Sequence, residues 1–170
     1  MESLAPLSTI AEVSVAFAGF ASIVSILGIQ NRGRVPIFYR ASVRGMLLCS
    51  LTAVIAALAP YVFIRFAADV DTAWRHAAVF FVVLLIALNA AGIADGRAIR
   101  HLTPWYGRAL GGLLLLAPLT LTALAAIGLP ENAAASFYVL SLWLLLMVAA
   151  YLFASTVLVL ISWRDRGGDA

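Results

Sequence analysis

The stretch SFYVLSLWLLLMVAAYLFASTVLVLIS, Ser136 to Ser162, contains no charged side chain. A helix needs roughly 20 apolar residues to cross a hydrocarbon core of about 30 Å. This run exceeds that length, so it spans with tilt or with a projecting end. It has none of the period-2 alternation of a barrel strand, and in lipid a continuously apolar segment must satisfy its own backbone as a helix. Four more runs of this kind lie upstream, approximately Leu7 to Ile29, Gly45 to Phe66, Ala77 to Ala94 and Ala109 to Leu129. The first carries Glu12 and the third is short. The expected fold is all-α: one transmembrane domain over residues 1–170, a polytopic bundle of five transmembrane helices.

Composition supports that reading. Of the 170 residues, 64% are hydrophobic and 11% charged, and the mean hydropathy is +1.05. Soluble domains average roughly 45–50% apolar and 25% charged residues, and a domain of this size has too much surface for so few charges. Disorder needs low hydrophobicity and a disulfide scaffold needs many cysteines, so both are excluded. All 11 basic residues are arginine. Without lysine there is no Schiff base and no P-loop. Cys49 is alone and has no intrachain disulfide partner. Met1 to Pro6 lacks a basic n-region, so no cleaved signal is expected.

Arginine placement gives an orientation. Arg32, Arg34, Arg40 and Arg44 fall between the first two runs; Arg97, Arg100 and Arg108 fall between the third and fourth; Arg164 and Arg166 follow the fifth. Only Arg65 and Arg75 fall on the opposite side. The positive-inside rule then puts the N-terminus outside and the C-terminus in the cytoplasm. The cytoplasmic arginines are expected to meet anionic headgroups, and the net charge of +3 is read that way rather than as a nucleic-acid surface. The segment from Val35 to Val43 resembles a short interfacial helix. Tyr39, Tyr61, Trp74, Trp105, Tyr106, Tyr138 and Trp163 lie near the ends of the runs, as headgroup-level anchors do. Asp95 is expected to neutralise Arg97 or Arg100. The decapeptides LTAVIAALAP, 51–60, and LTALAAIGLP, 121–130, hint at a repeat of two parallel hairpins.

The first run carries the functional signal. On a wheel at about 100° per residue, Val13, Ala16, Phe17, Phe20, Ile23, Val24 and Leu27 form a mostly bulky arc. Ser8, Glu12, Gly19 and Ser22 form a polar and small stripe, and Ser14, Ala18, Ala21, Ser25 and Gly28 a second small band. Small residues let helix backbones approach closely, so Gly19, Ala18 and Ser25 are expected packing positions. Glu12 sits about a turn and a half inside the run, where a carboxylate costs several kcal/mol unless paired, hydrated or protonated. One reading makes it the charge site of a water-accessible path, with Ser8, Ser22 and Asn89 lining it. The other makes it an ion-paired clasp, with Arg65, Arg75 or His76 as partner, or a group within reach of the outer interface.

The segment IAEVSVAFAGFASIV, Ile10 to Val24, with the arginine-rich connection and the tryptophan-bearing loop before the third run, resembles a family of small bacterial multi-pass membrane proteins. That likeness implies the architecture and a place in the bacterial inner membrane, and it brings no activity, ligand or site residue.

Other constellations are weak. Asn89 is expected to hydrogen-bond across helices or to line a path. Pro60 and Pro118 are expected to kink their helices, with Thr120 and Thr122 offering hydroxyls near the second kink. DGRAIR, 95–100, resembles the start of a phosphatidyltransferase motif, but the further aspartates that motif needs are missing downstream. His76 and His101 fall on opposite sides, which disfavours a bis-histidine haem. No spacing suggests a metal site, and neither histidine is placed to serve a serine nucleophile. The chain is therefore expected to be no enzyme and to hold no cofactor. Two roles remain: a homo-oligomeric ion or proton channel or carrier with Glu12 as charge site, and a non-transporting subunit of a larger membrane complex.

Overall fold

The computed structural model describes residues 5–30, 37–67, 69–99, 105–128 and 133–167. They form five helices: α1 Ala5–Gln30, α2 Ile37–Phe66, α3 Val70–Ile99, α4 Trp105–Ile127 and α5 Ala134–Gly167. Four contain stretches long and apolar enough to cross a membrane: Pro6–Ile26, Arg40–Phe66, Val70–Ala94 and Ala134–Leu158. In α4 the apolar stretch is the shorter Leu115–Ile127. The chain is a small multi-pass membrane protein built only of helices among the described residues.

Each helix outruns the apolar segment that announces it in the sequence. The third run, expected over 77–94, is part of a helix from Val70 to Ile99. Helical hydrogen bonding does not stop where side chains become polar, so apolar scanning underestimates a helix that projects into the headgroups. The separate interfacial helix expected around Val35 to Val43 is absent in that form. From Ile37 onward these residues are the first turns of α2.

The helices run up and down. Val24, late in α1, packs with Val43, early in α2. Phe63, late in α2, stacks near His76 and Phe80, early in α3. Helices α2, α3, α4 and α5 close a four-helix group in chain order, and α1 lies outside it against α2 and, less extensively, α5. Alanine makes the close contacts possible: Ala53, Ala56, Ala57, Ala77, Ala78 and Ala125 are all buried in one cluster with Phe81, Leu85, Tyr138, Leu142 and Leu145. Gly45 serves a similar purpose, since a Cβ there would lie 3.2 Å from Leu152 Cδ1 on α5.

Two of the aromatic residues expected at headgroup level are core residues instead. Trp74 and Tyr138 are 3% and 0% exposed, and they meet edge to face at 5.6 Å between ring centres. Phe81 also meets Tyr138 edge to face, at 5.3 Å. Such pairs prefer tilted geometry because the ring edge is positive and its face negative. Tyr61, in contrast, is exposed. The side chains of Tyr39, Trp105, Tyr106 and Trp163, like those of Asp95, Arg97 and Arg100, lie outside the described residues, as do the closing Leu129 and Pro130 of the second decapeptide.

Candidate functional site

The polar stripe of α1 lies on the outside of the bundle. Its second small band faces inward: Ser14 and Ala21 are buried, Ala18 and Ser25 half-buried, with Leu7, Ile10 and Val24 completing the packed side. Ser8, Glu12, Gly19 and Ser22 are exposed, as are Val13, Ala16, Phe20 and Ile23 of the bulky arc. Phe17 and Phe20 meet Phe153 of α5 at 6.2 and 5.9 Å between ring centres. The two small bands thus separate into one that packs within the chain and one that the chain leaves open.

Within the packed band, Ser14 donates its hydroxyl to the Ile10 carbonyl at 2.7 Å; on the open face, Ser22 donates to Ala18 at 3.0 Å. Both are local bonds along α1, which spare a hydroxyl the need for a partner helix. Glu12 has no such solution. A carboxylate has no proton to give to a carbonyl, and among the described residues it makes no hydrogen bond or ion pair. Its position is about 9 Å along the axis from Pro6, where the apolar stretch begins.

None of the groups expected as its partners is paired with it: Arg75 and His76 are engaged elsewhere, and Arg65 is exposed. The Arg75 guanidinium on α3 lies over Gly128 at the end of α4, with Nη2 2.8 Å from where a Cβ would be. Gly128 has φ +80° and closes α4 in the left-handed conformation, where a Cβ would be strained. A cation there lies against the negative end of the α4 dipole. His76 stacks on Phe63 at 6.2 Å, and Arg65 is exposed in the last turn of α2. Asn89 is half-buried and donates to Leu85 of its own helix at 2.8 Å, rather than across to another helix.

No family model, curated protein or solved structure matches this chain. The functional reading therefore rests on the chain's own geometry.

Polar groups that reasoning from sequence missed hold the bundle together. Tyr138 on α5 donates its hydroxyl to the main-chain carbonyl of Ala56 on α2 at 2.5 Å. On α4, the Pro118 carbonyl accepts from Thr122 at 2.7 Å and from Ser141 of α5 at 2.5 Å, and the two hydroxyl oxygens are themselves 2.5 Å apart. The sequence marks Thr122 as a hydroxyl near a proline and Tyr138 as an end-of-run ring, but nothing local ties Ser141 or Tyr138 to partners that are far away in sequence. Ser50 is the one buried side-chain oxygen without a partner among the described residues.

At the α2–α3 connection, Asp69 caps α3. The Thr72 amide donates to its Oδ1 at 2.6 Å and the Thr72 hydroxyl to its Oδ2 at 2.9 Å. These bonds, first the amide and then the hydroxyl, hold the exposed carboxyl below the usual aspartate range, with Arg75 adding a weaker pull. The cap satisfies an N–H that would otherwise be orphaned at the helix start.

Proposed function

We propose that the protein is a five-span protein of the bacterial inner membrane, N-terminus outside and C-terminus cytoplasmic, that acts as a homo-oligomeric ion or proton channel or carrier. The observation that carries this reading is the exposed carboxylate of Glu12, inside the apolar stretch of α1 and on the same outer face as Ser8 and Ser22. An intramembrane carboxylate that faces away from its own bundle needs a polar neighbour from outside it. The centre of the bundle is filled by Phe81, Tyr138, Leu85, Leu142 and Leu145, all 0% exposed. The path in this reading runs between copies, along the α1 face, with Glu12 as the proton or cation site. Asn89 sits on α3, away from that face. The protein carries out no catalysis and holds no cofactor, and its cytoplasmic arginines contact anionic lipid and no nucleic acid.

The same outward position supports a second reading, in which α1 docks onto a larger membrane complex and no ion moves. Purified protein in liposomes, assayed for proton and cation flux under an imposed potential, separates the two. Flux from the purified protein alone supports transport. Absence of flux together with a stoichiometric larger partner after mild extraction supports the docking role. A reporter on the N-terminus found outside supports the orientation, and one found in the cytoplasm removes it.

A further inference from the structure

Burial divides the α3–α4 hairpin at one depth. On α3, Trp74, Ala77, Phe81, Leu85 and Leu88 are buried, and no described residue after Leu88 is. On α4, Pro118, Thr122 and Ala125 are buried, and no described residue before Pro118 is. The helices beside them do not fade in this way. Toward the same end of the bundle, α2 has buried residues back to Ser42 and α5 on to Thr156. The end arms of the hairpin, residues 89–94 and 112–117, are thus outside the packed core, yet they still meet each other. A Cβ on Gly92 would lie 3.6 Å from Leu115 Cδ1.

Both helices are weakened at the depth where burial stops. Counting three residues from the Gly92–Leu115 contact, back along α3 and on along α4, sets Asn89 level with Pro118. Pro118 supplies no N–H, so the carbonyl four residues before it lacks its helical donor. Asn89 donates its side chain to the Leu85 carbonyl at 2.8 Å, in competition with its own main-chain N–H. Side chains that bond back in this way bend helices, and prolines and groups inserted into the helical ladder are recurrent causes of sharp kinks. The packed side of this weak point is fixed. Ser141 of α5 and Thr122 both donate to the Pro118 carbonyl, at 2.5 and 2.7 Å.

We propose that the α3–α4 hairpin is hinged at Asn89 and Pro118, and that its two end arms swing as one unit against α2 and α5. One turn of α5 holds the other side still. Tyr138 joins α5 to α2 through the Ala56 carbonyl and meets Trp74 and Phe81 of α3, and Ser141 joins α5 to α4. From Pro118 to Leu113 the arm is about 7.5 Å of helix axis. A swing of about 20°, where sharp kinks begin, moves Leu113 by about 3 Å and opens or closes the groove between the arms and α2 and α5. The hinge requires neither of the two roles above, so its failure leaves both standing.

Distances between paired spin labels in liposomes test the hinge, in a Cys49→Ala background and diluted with unlabelled protein so that only distances within one chain are read. L51C–L113C reports an arm against α2, L58C–L124C the packed parts of the same two helices, and A94C–L113C one arm against the other. All five side chains are exposed. The first pair is expected to give a distance distribution at least about twice as wide as the other two. Pro118→Ala restores the N–H and is expected to narrow it to their width. Asn89→Leu removes the bond to Leu85 and is expected to narrow it by a smaller amount. A first pair as narrow as the second, or a width that both substitutions leave unchanged, overturns the hinge. A third pair as wide as the first overturns the joint swing of the arms.

Discussion

The hydroxyl of Tyr138 reaches the main-chain carbonyl of Ala56 at 2.5 Å, and Ala56 lies four residues before Pro60. In a regular helix that carbonyl would accept the N–H of residue 60. Proline has none. A side chain from α5 thus completes the hydrogen bonding of α2 at the point where α2 cannot do so itself, in a setting without water to substitute.

Tyr138→Phe should therefore destabilise the bundle by about 1–2 kcal/mol, because it leaves a buried carbonyl unsatisfied. Pro60→Ala returns an N–H to the same carbonyl. In the Pro60→Ala background, Tyr138→Phe should cost less than it does alone. A double-mutant cycle from reversible unfolding in mixed micelles measures the difference, and additive losses would show that the two residues do not share the carbonyl.

The Pro118 carbonyl, Thr122 and Ser141 present three close contacts to only two hydroxyl protons. Either hydroxyl can serve the carbonyl while the other serves its neighbour. Ser141→Ala and Thr122→Val should then be non-additive, with the double variant losing less than the sum. Single losses of about 0.5–1.5 kcal/mol are expected on the same unfolding assay.

Gly128→Ala should be costly although the position is only half-buried. The substituted residue must hold φ +80°, which disfavours L side chains by about 1–2 kcal/mol, and its methyl would press on the Arg75 guanidinium. Arg75→Ala relieves the second effect and not the first, so the double variant should recover only part of the loss. Melting temperatures of the three variants check this.

Asp69 gives a pH dependence of defined sign. Its carboxyl is held below its ordinary value in the folded chain, so the folded state favours the ionised form. The cap's contribution is full above the unfolded carboxyl value of about 3.9 and is lost as pH falls through the lower folded value. In an NMR titration the Thr72 amide signal should move below the ordinary aspartate range. Asp69→Asn should abolish that movement while leaving the spectrum near pH 7 largely intact.

The helical class, and the place of α1 as the helix that carries the charge, were legible from residue order because length, apolar continuity and the position of Glu12 are local properties. Sidedness was not. Trp74 and Tyr138 lie near helix starts, where amphipathic rings serve equally as headgroup anchors or as core residues with one buried polar contact. For Tyr138 the neighbouring Ala56 and Phe81 decide, and for Trp74 it is Tyr138 itself, each distant in the chain from the residue it decides. The wheel of α1 separates two small bands, but which one the bundle uses depends on where α2 and α5 lie.

Proton flux through proteoliposomes, compared between the wild-type chain and Glu12→Gln, tests the central claim most directly. With the carboxylate as charge site, the wild-type protein conducts and Glu12→Gln falls by at least about tenfold while remaining folded, since removal of a positioned proton-transfer group typically costs 10²–10⁴-fold. A robust wild-type flux that Glu12→Gln leaves unchanged would contradict it.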